Sequence, residues 1–264
     1  MIDKLTIRDI SKFGMIILAI ISFLIAVNSR YFLNNEDLHK ENFVTLSMVK
    51  FITEICEEDT GDTGNNYLEH QCTDVRLPIY ESTASGLILK KVSNEAYILS
   101  ANHFCNSEEM NNSLIEIETE NEIVISDFES KNYPSEVVYF DETYDLCLLR
   151  SHMDRQVDTI EFSDSPEIGD KIFTIASPLG ISESGILLHF EGFFSGCERS
   201  GMCFYTIPAT SGSSGSVVFD MRGRGIGIIQ MTPIYFRSIS LGVGSYEIIK
   251  FLENASKSLN INLI

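Results

Sequence analysis

Three short segments of this chain carry side chains that together can make a hydroxyl nucleophilic. His103 follows an apolar run directly, in SANHFC; Asp145 opens another, in DETYDLCLL; Ser214 lies between Gly212 and Gly215 in TSGSSGSVVFD, just ahead of a third. A serine hydroxyl attacks poorly until a neighbouring imidazole takes its proton, and that imidazole must be held in one tautomer by an acceptor on its other nitrogen. His103 fits the base and Asp145 the acceptor. Gly212, two positions before the serine, lets the backbone turn so that the N–H groups of Gly212 and Ser214 converge where an oxyanion would develop, a device that lowers such barriers by about 3 kcal/mol. Each segment alone is weak, because a lone histidine is usually structural and glycine-serine loops are common. The chain order His, Asp, Ser is one of those in which this chemistry is assembled. His39, His70, His152 and His189 lack comparable settings and read as surface or packing residues. The chemistry needs no cofactor, and no Cys/His spacing matches a zinc site.

The segments that must hold these residues are strands. From about residue 80 onward the chain is a series of short runs rich in Ile, Val, Leu, Phe and Tyr, broken by Gly, Asn, Ser and Asp. They are GLILKK, AYILSA, LIEIETENEIVIS, SEVVYF, LCLLR, KIFTIA, GILLHFEGFF, CFYTIPA, SVVFD, GIGIIQM and SISLGV, and a helix near Tyr246–Ser258 follows. That pattern predicts an all-β fold, two six-stranded antiparallel barrels with a C-terminal helix. In the third run Ile115, Ile117, Ile123 and Ile125 share one parity and Glu116, Glu118, Glu120 and Glu122 the other, the alternation of a half-buried strand or hairpin. Its acidic face reads as solvated and lacks the loop signature of a calcium site. Upstream, Val44, Met48, Phe51, Ile52 and Ile55 recur at helical spacing, so residues 35–56 are expected to form an amphipathic helix, followed by an acidic loop.

The 264 residues carry 38 Asp+Glu against 19 Lys+Arg, a net charge of −19, with no basic run. A phosphate backbone would be repelled, which argues against nucleic-acid binding. Ten acids and two lysines fall in residues 35–75, and eight acids without a basic residue in 107–130, so most of the excess lies away from the three chemical segments. Phe13 to Val27 is uncharged, and the span through Ser29 would make roughly 25 Å of helix, slightly short of a ~30 Å hydrocarbon core. Lys4, Arg8 and Lys12 precede it. The positive-inside bias then puts residues 1–12 in the cytoplasm as a short tip, and 13–29 as a transmembrane anchor or a cleaved signal peptide. Either places the remainder outside the cytoplasm, where disulfides persist. Cys197 and Cys203 flank a turn-like stretch and form the favoured pair; Cys56 and Cys72 bracket the acidic loop; Cys105 and Cys147 are open between a bridge and buried thiols.

Collinear segments over about residues 84–255 resemble the trypsin-like (chymotrypsin-fold) serine proteases, and within them the HtrA (Deg) branch. Ala84-Ser85-Gly86 with LIL, AYILSANHF, VVYFDETYDLCLLR, EIGDKIFTIASPLG, GILLHFEGFFSG, TSGSSGSVVFD and GRGIGIIQM follow one another in family order. The resemblance implies that Asp145, not Asp141, orients His103, that Gly212 and Ser214 form the oxyanion hole, and that protein or peptide substrates are cleaved through an acyl-enzyme. It implies a substrate lying extended along Ile228–Met231 and an S1 floor near Ile207 and Pro208, apolar and suited to small or aliphatic P1 residues. No PDZ-like segment follows the terminal helix, so a protease domain without one is expected, spanning residues 80–264 above a helix-and-loop stalk at 30–79. Ser213 and Ser216 depart from the residues usual at their positions, and Cys105 sits one residue too far along for the disulfide of the trypsins. These departures leave an alternative: a catalytically inactive ectodomain of protease fold that binds or scaffolds.

Overall fold

The computed structural model describes residues 20–22, 39–58, 70–106, 116–163 and 166–264. Twelve strands are described in chain order, β1 (Phe43–Glu58), β2 (His70–Val92), β3 (Glu95–Ala101), β4 (Glu116–Asp127), β5 (Asn132–Asp141), β6 (Leu146–His152), β7 (Lys171–Ala176), β8 (Leu188–Cys197), β9 (Met202–Tyr205), β10 (Val217–Asp220), β11 (Gly225–Ile228) and β12 (Ser240–Val243). A single helical turn, α1 (Asn102–Cys105), follows β3, and the helix α2 (Ser245–Leu259) ends the fold. Strands β1 to β6 close a barrel in the order β1-β2-β3-β6-β5-β4; β7 to β12 form a second six-stranded sheet, β11-β10-β7-β8-β9-β12. Backbone bridges Gly227↔Gly244 and Met231↔Leu241 join the edges of that second sheet. All the strand pairings are antiparallel, as the two-barrel expectation requires.

The near-continuous apolar runs of β2, β3 and β6 arise because both faces of these strands are buried. Ile88, Ile98, Cys147 and Leu149 point into the first barrel with Val44, Leu46, Met48 and Ile125. Their neighbours Leu87, Leu89, Leu99, Leu146 and Leu148 pack the other way, against Phe173, Val217, Phe219 and Ile228 of the second barrel and Ile248, Phe251 and Leu252 of α2. Each such side chain stabilises the fold by about 1.5–3 kcal/mol through burial. The second barrel has its own interior, built on Ile172, Phe194, Tyr205, Ile207, Val218 and Ile226.

The expected amphipathic helix over 35–56 is not formed: Phe43–Glu58 is a strand, paired with β2 on one side and β4 on the other. The apolar positions 44, 48 and 52 satisfy a strand period of 2 as readily as a helical one, and Leu46, buried between Val44 and Met48, fits only the strand. Register shifts between Lys50 and Phe51 and between Ile52 and Glu54 break the alternation downstream, which is what lent it a helical look. The first barrel therefore begins at Phe43 and takes in most of the supposed stalk. The eleven apolar runs correspond to β2–β12, and β1 is the missing twelfth.

In β4, Ile123 and Ile125 are buried while Glu120 and Glu122 face outward onto Arg76 of β2, at 3.3 and 2.7 Å. The Arg76 guanidinium also lies over the Phe51 ring, 4.2 Å from its centre. Cys197 and Cys203 are bonded across the β8–β9 hairpin, as expected. Cys72 is disulfide-bonded, and Cys56 is its register partner across β1–β2. The expected cytoplasmic tip at 1–12, nearly all of the 13–29 span and the acidic loop at 59–69 lie outside the described residues. Among the described residues, no helix is long and apolar enough to cross a membrane.

Candidate active site

Antiparallel pairing of β3 with β6 brings the first two residues together. Ala101 stands opposite Leu146, so the chain leaving β3 and the chain arriving at β6 meet at one end of the sheet. His103 is two residues past that point and Asp145 one residue before it. The Asp145 carboxylate accepts two hydrogen bonds from His103, one from the backbone N–H and one from the ring Nδ1, each at 2.7 Å. With Nδ1 donating to the carboxylate, Nε2 retains its lone pair, the tautomer a general base requires. Asp145 adopts a left-handed backbone, φ 51°, an uncommon conformation that aspartate tolerates better than most residues. Its carbonyl accepts the Asn102 N–H at 3.1 Å, which ties α1 to the same turn. Asp141 has a different task, accepting the N–H groups of Thr143 and Tyr144 to shape the loop that leads to Asp145.

A disulfide between Cys105 and Cys147 joins the same two segments two residues further along each. Both cysteines are buried. The pairing left open by the sequence is thus a covalent clamp under the His103–Asp145 pair, closing a loop of 42 residues.

Ser214 belongs to the second barrel, on a turn between β9 and β10 with Gly212 and Gly215 at φ 89° and 85°. A side chain at Gly212 would strike Ser177 and Leu179 backbone, and one at Gly215 the Ser85 carbonyl, so both positions exclude anything larger. Within the turn Ser213 is buried, its N–H donating to the Thr210 carbonyl at 2.9 Å and its hydroxyl accepting the Thr210 N–H at 3.3 Å. The unusual serine is therefore a brace. The Ser211 carbonyl accepts the Leu179 N–H at 2.6 Å; across a trans peptide this turns the Gly212 N–H the opposite way. Among the described residues, neither the Gly212 nor the Ser214 N–H is taken by a protein acceptor.

Ser85 of β2 fastens this turn to the first barrel. Its N–H donates to the Ser214 carbonyl at 2.8 Å and its hydroxyl to the Gly212 carbonyl at 2.8 Å, while the same hydroxyl accepts the Ser177 N–H at 2.9 Å. Ser100 of β3 holds the Ser85 carbonyl in turn, at 2.9 Å. The Ser214 hydroxyl donates to the Gln230 carbonyl at 3.3 Å and makes no hydrogen bond to His103 in this structure. Below the turn, Ile207 and Ala209 are buried, Pro208 is exposed, and Arg237 reaches from the β11–β12 loop to the Thr210 hydroxyl at 3.1 Å.

His103, Asp145, Ser214 and Gly212 are legible in the sequence; the parts played by Ser85, Gln230 and Ser100 emerge only in the fold. Ser85 belongs to the Ala84-Ser85-Gly86 segment, and the only local signal at Gln230 is an amide in an apolar run.

A family model described as "Trypsin-like peptidase domain" matches residues 84–228, more than half of the chain, and the chain belongs to that family. The four residues named from the sequence all fall within the match. Among curated proteins the chain is similar to the serine protease Do-like HtrB of Bacillus subtilis, at 27% identity over 158 residues, 54% of this chain and 31% of that protein. It thus spans about a third of the length of the curated relative it matches. Among solved structures it resembles the serine endoprotease from Yersinia pestis with a TM-score of 0.58 at 16% identity, covering 86% of this chain and 66% of that one, a likeness of fold.

Proposed function

We propose that this chain is a serine endopeptidase in which Ser214 attacks the scissile carbonyl, His103 is general base and then acid, and Asp145 holds His103. The observation that carries the reading is the doubly bonded His103–Asp145 pair, with the glycine-flanked Ser214 turn fastened beside it through Ser85. The hydroxyl rotates from the Gln230 carbonyl toward His103 Nε2, loses its proton there as the C–O bond forms, and the imidazolium returns that proton to the leaving amine. The N–H groups of Gly212 and Ser214 stabilise the tetrahedral oxyanion. Water, deprotonated by the same His103, then releases the acyl group. Substrate lies extended along Ile228–Met231. Buried Ile207 and Ala209 near S1, with the cationic Arg237 beside Thr210, favour small or aliphatic P1 residues over Lys or Arg.

The same reading sets the domain outside the cytoplasm, held by residues 13–29 as an anchor, with unfolded or extended protein as substrate. Its support is the uncharged Phe13–Val27 run behind Lys4, Arg8 and Lys12, together with two bonded cysteine pairs, which suit an oxidising compartment. Mass spectrometry of the mature N-terminus separates an anchor from a cleaved signal peptide. A second reading, a non-catalytic ectodomain that binds, is favoured by one observation, the Ser214 hydroxyl resting on Gln230. A fluorophosphonate probe decides between them. The full chain should be labelled at Ser214 and Ser214→Ala should not; a folded wild-type chain that stays unlabelled and cleaves no unfolded protein overturns the peptidase reading.

A further inference from the structure

Gln230 touches both halves of the site. It lies two residues beyond β11 and is 5% exposed, a buried amide at the end of an apolar run. Its Nε2 donates to the carbonyls of Tyr144 and Asp145, at 2.5 and 2.8 Å. An amide NH₂ has two hydrogens, and both are spent on this one turn of the first barrel. The Asp145 carbonyl, which also accepts the Asn102 N–H, thereby has two donors from opposite sides. That matters because Asp145 is held at positive φ, a backbone state that surrounding contacts must support, and because the carboxylate that accepts both His103 donors hangs from that backbone. Gln230 is itself fixed in the second barrel, its N–H donating to Leu241 of β12 at 2.9 Å, and its own carbonyl receives the Ser214 hydroxyl.

We propose that Gln230 is a positioning residue: its main chain is fixed to β12 of the second barrel and its side chain holds the Asp145 turn of the first, so that one residue ties the two halves of the site together. This rests on the peptidase reading of His103, Asp145 and Ser214. Lys250 of α2 also reaches this turn, but it donates to the Tyr144 hydroxyl at 3.0 Å and not to the backbone that carries Asp145. A residue that merely filled space would contribute to stability and leave the His103–Asp145 hydrogen bond as it is.

The test uses the full chain and two readouts. The first is the downfield proton resonance of His103 Nδ1, identified by its absence in His103→Ala, which reports the bond to Asp145 whether or not the protein is active. The second is the rate of fluorophosphonate labelling at Ser214, with kcat and KM on an unfolded-protein substrate. Gln230→Leu keeps the volume and removes the donors. The resonance should move upfield or broaden away, labelling should slow by roughly tenfold to a hundredfold, and the loss should fall on kcat while KM stays near wild type. Gln230→Asn retains an amide too short to span both carbonyls and should give the same signature with less disturbance of packing, so the result stands even if the leucine variant does not fold. An unchanged resonance and labelling rate in either folded variant overturns the proposal. A wild-type chain that shows the resonance but takes no label overturns the peptidase reading instead, and the resonance still reports on Gln230.

Discussion

The two barrels hold their shares of the site in opposite ways. The first holds His103 and Asp145 mainly by its own means, through β3–β6 register, two hydrogen bonds to one carboxylate and the Cys105–Cys147 bridge, with the Gln230 amide as the second barrel's contribution to the Asp145 turn. The second holds Ser214 on a turn whose glycines permit the shape and whose position depends on donors from elsewhere, Ser85 above all. In the first barrel geometry is largely internal and covalently braced. In the second it is borrowed across an interface, and the hydroxyl is directed at a carbonyl and not at His103.

Three measurements would break or sharpen that contrast. The largest effect is expected from removing the brace. A Cys105→Ala, Cys147→Ala chain reopens a 42-residue loop in the unfolded state, which in the chain-entropy view costs about 4 kcal/mol. Urea unfolding should show that loss, with hydrogen exchange rising first in β3 and β6. Equal loosening of β7 and β10 would mean that the barrels do not keep separate accounts of stability.

Acid should act on the other barrel. His39 is buried with its ring stacked on Phe219 at 4.1 Å and on Phe173 at 6.1 Å, and burial pushes its pKa down from 6.5 to about 4. Because the folded value lies below the unfolded one, the unfolded chain binds the extra proton. The contribution is intact above about pH 6.5, is lost as pH falls toward 4, and amounts to roughly 3 kcal/mol when fully lost. His39→Phe should flatten this part of the stability–pH curve; a curve of unchanged slope would assign the acid sensitivity to other groups.

The smallest of the three is Ser85→Ala. Removing the hydroxyl frees the Gly212 carbonyl and the Ser177 N–H, both buried, and lets the Ser214 turn drift. Labelling at Ser214 should slow by roughly tenfold, about 1.4 kcal/mol of barrier, with the His103 Nδ1 resonance unmoved. A shifted resonance would show that the His103–Asp145 pair depends on the Ser214 turn as well as on its own barrel.

Most of the fold was legible because strand burial writes itself into local pattern. The runs GLIL and LCLL are apolar at successive positions because Ile88 and Leu149 fill the first barrel while Leu87, Leu89 and Leu148 meet the second. β1 was lost to a coincidence of periods, positions 44, 48 and 52 serving a helix or a strand alike, with Leu46 the residue that should have decided it. His103, Asp145 and Ser214 were visible because each sits beside a recognisable strand. The Cys105–Cys147 bridge was not, since only the pairing of Ala101 with Leu146 brings the two cysteines together. Gln230 was equally hidden, because nothing near residue 230 announces that the carbonyls of Tyr144 and Asp145 lie within its reach.

The order of the strands adds a matter of timing. The first barrel is complete by His152, and its strands borrow none from later in the chain. A chain that folds as it is synthesised can therefore bring His103 and Asp145 together before Ser214 has left the ribosome, with Gln230 still to come. The hydroxyl gains its surroundings only when β10, β11 and β12 have closed around it, with Leu241 in place to fix Gln230. On the peptidase reading, a chain built in this order stays inert toward its own unfolded segments and toward its neighbours until the last strand arrives.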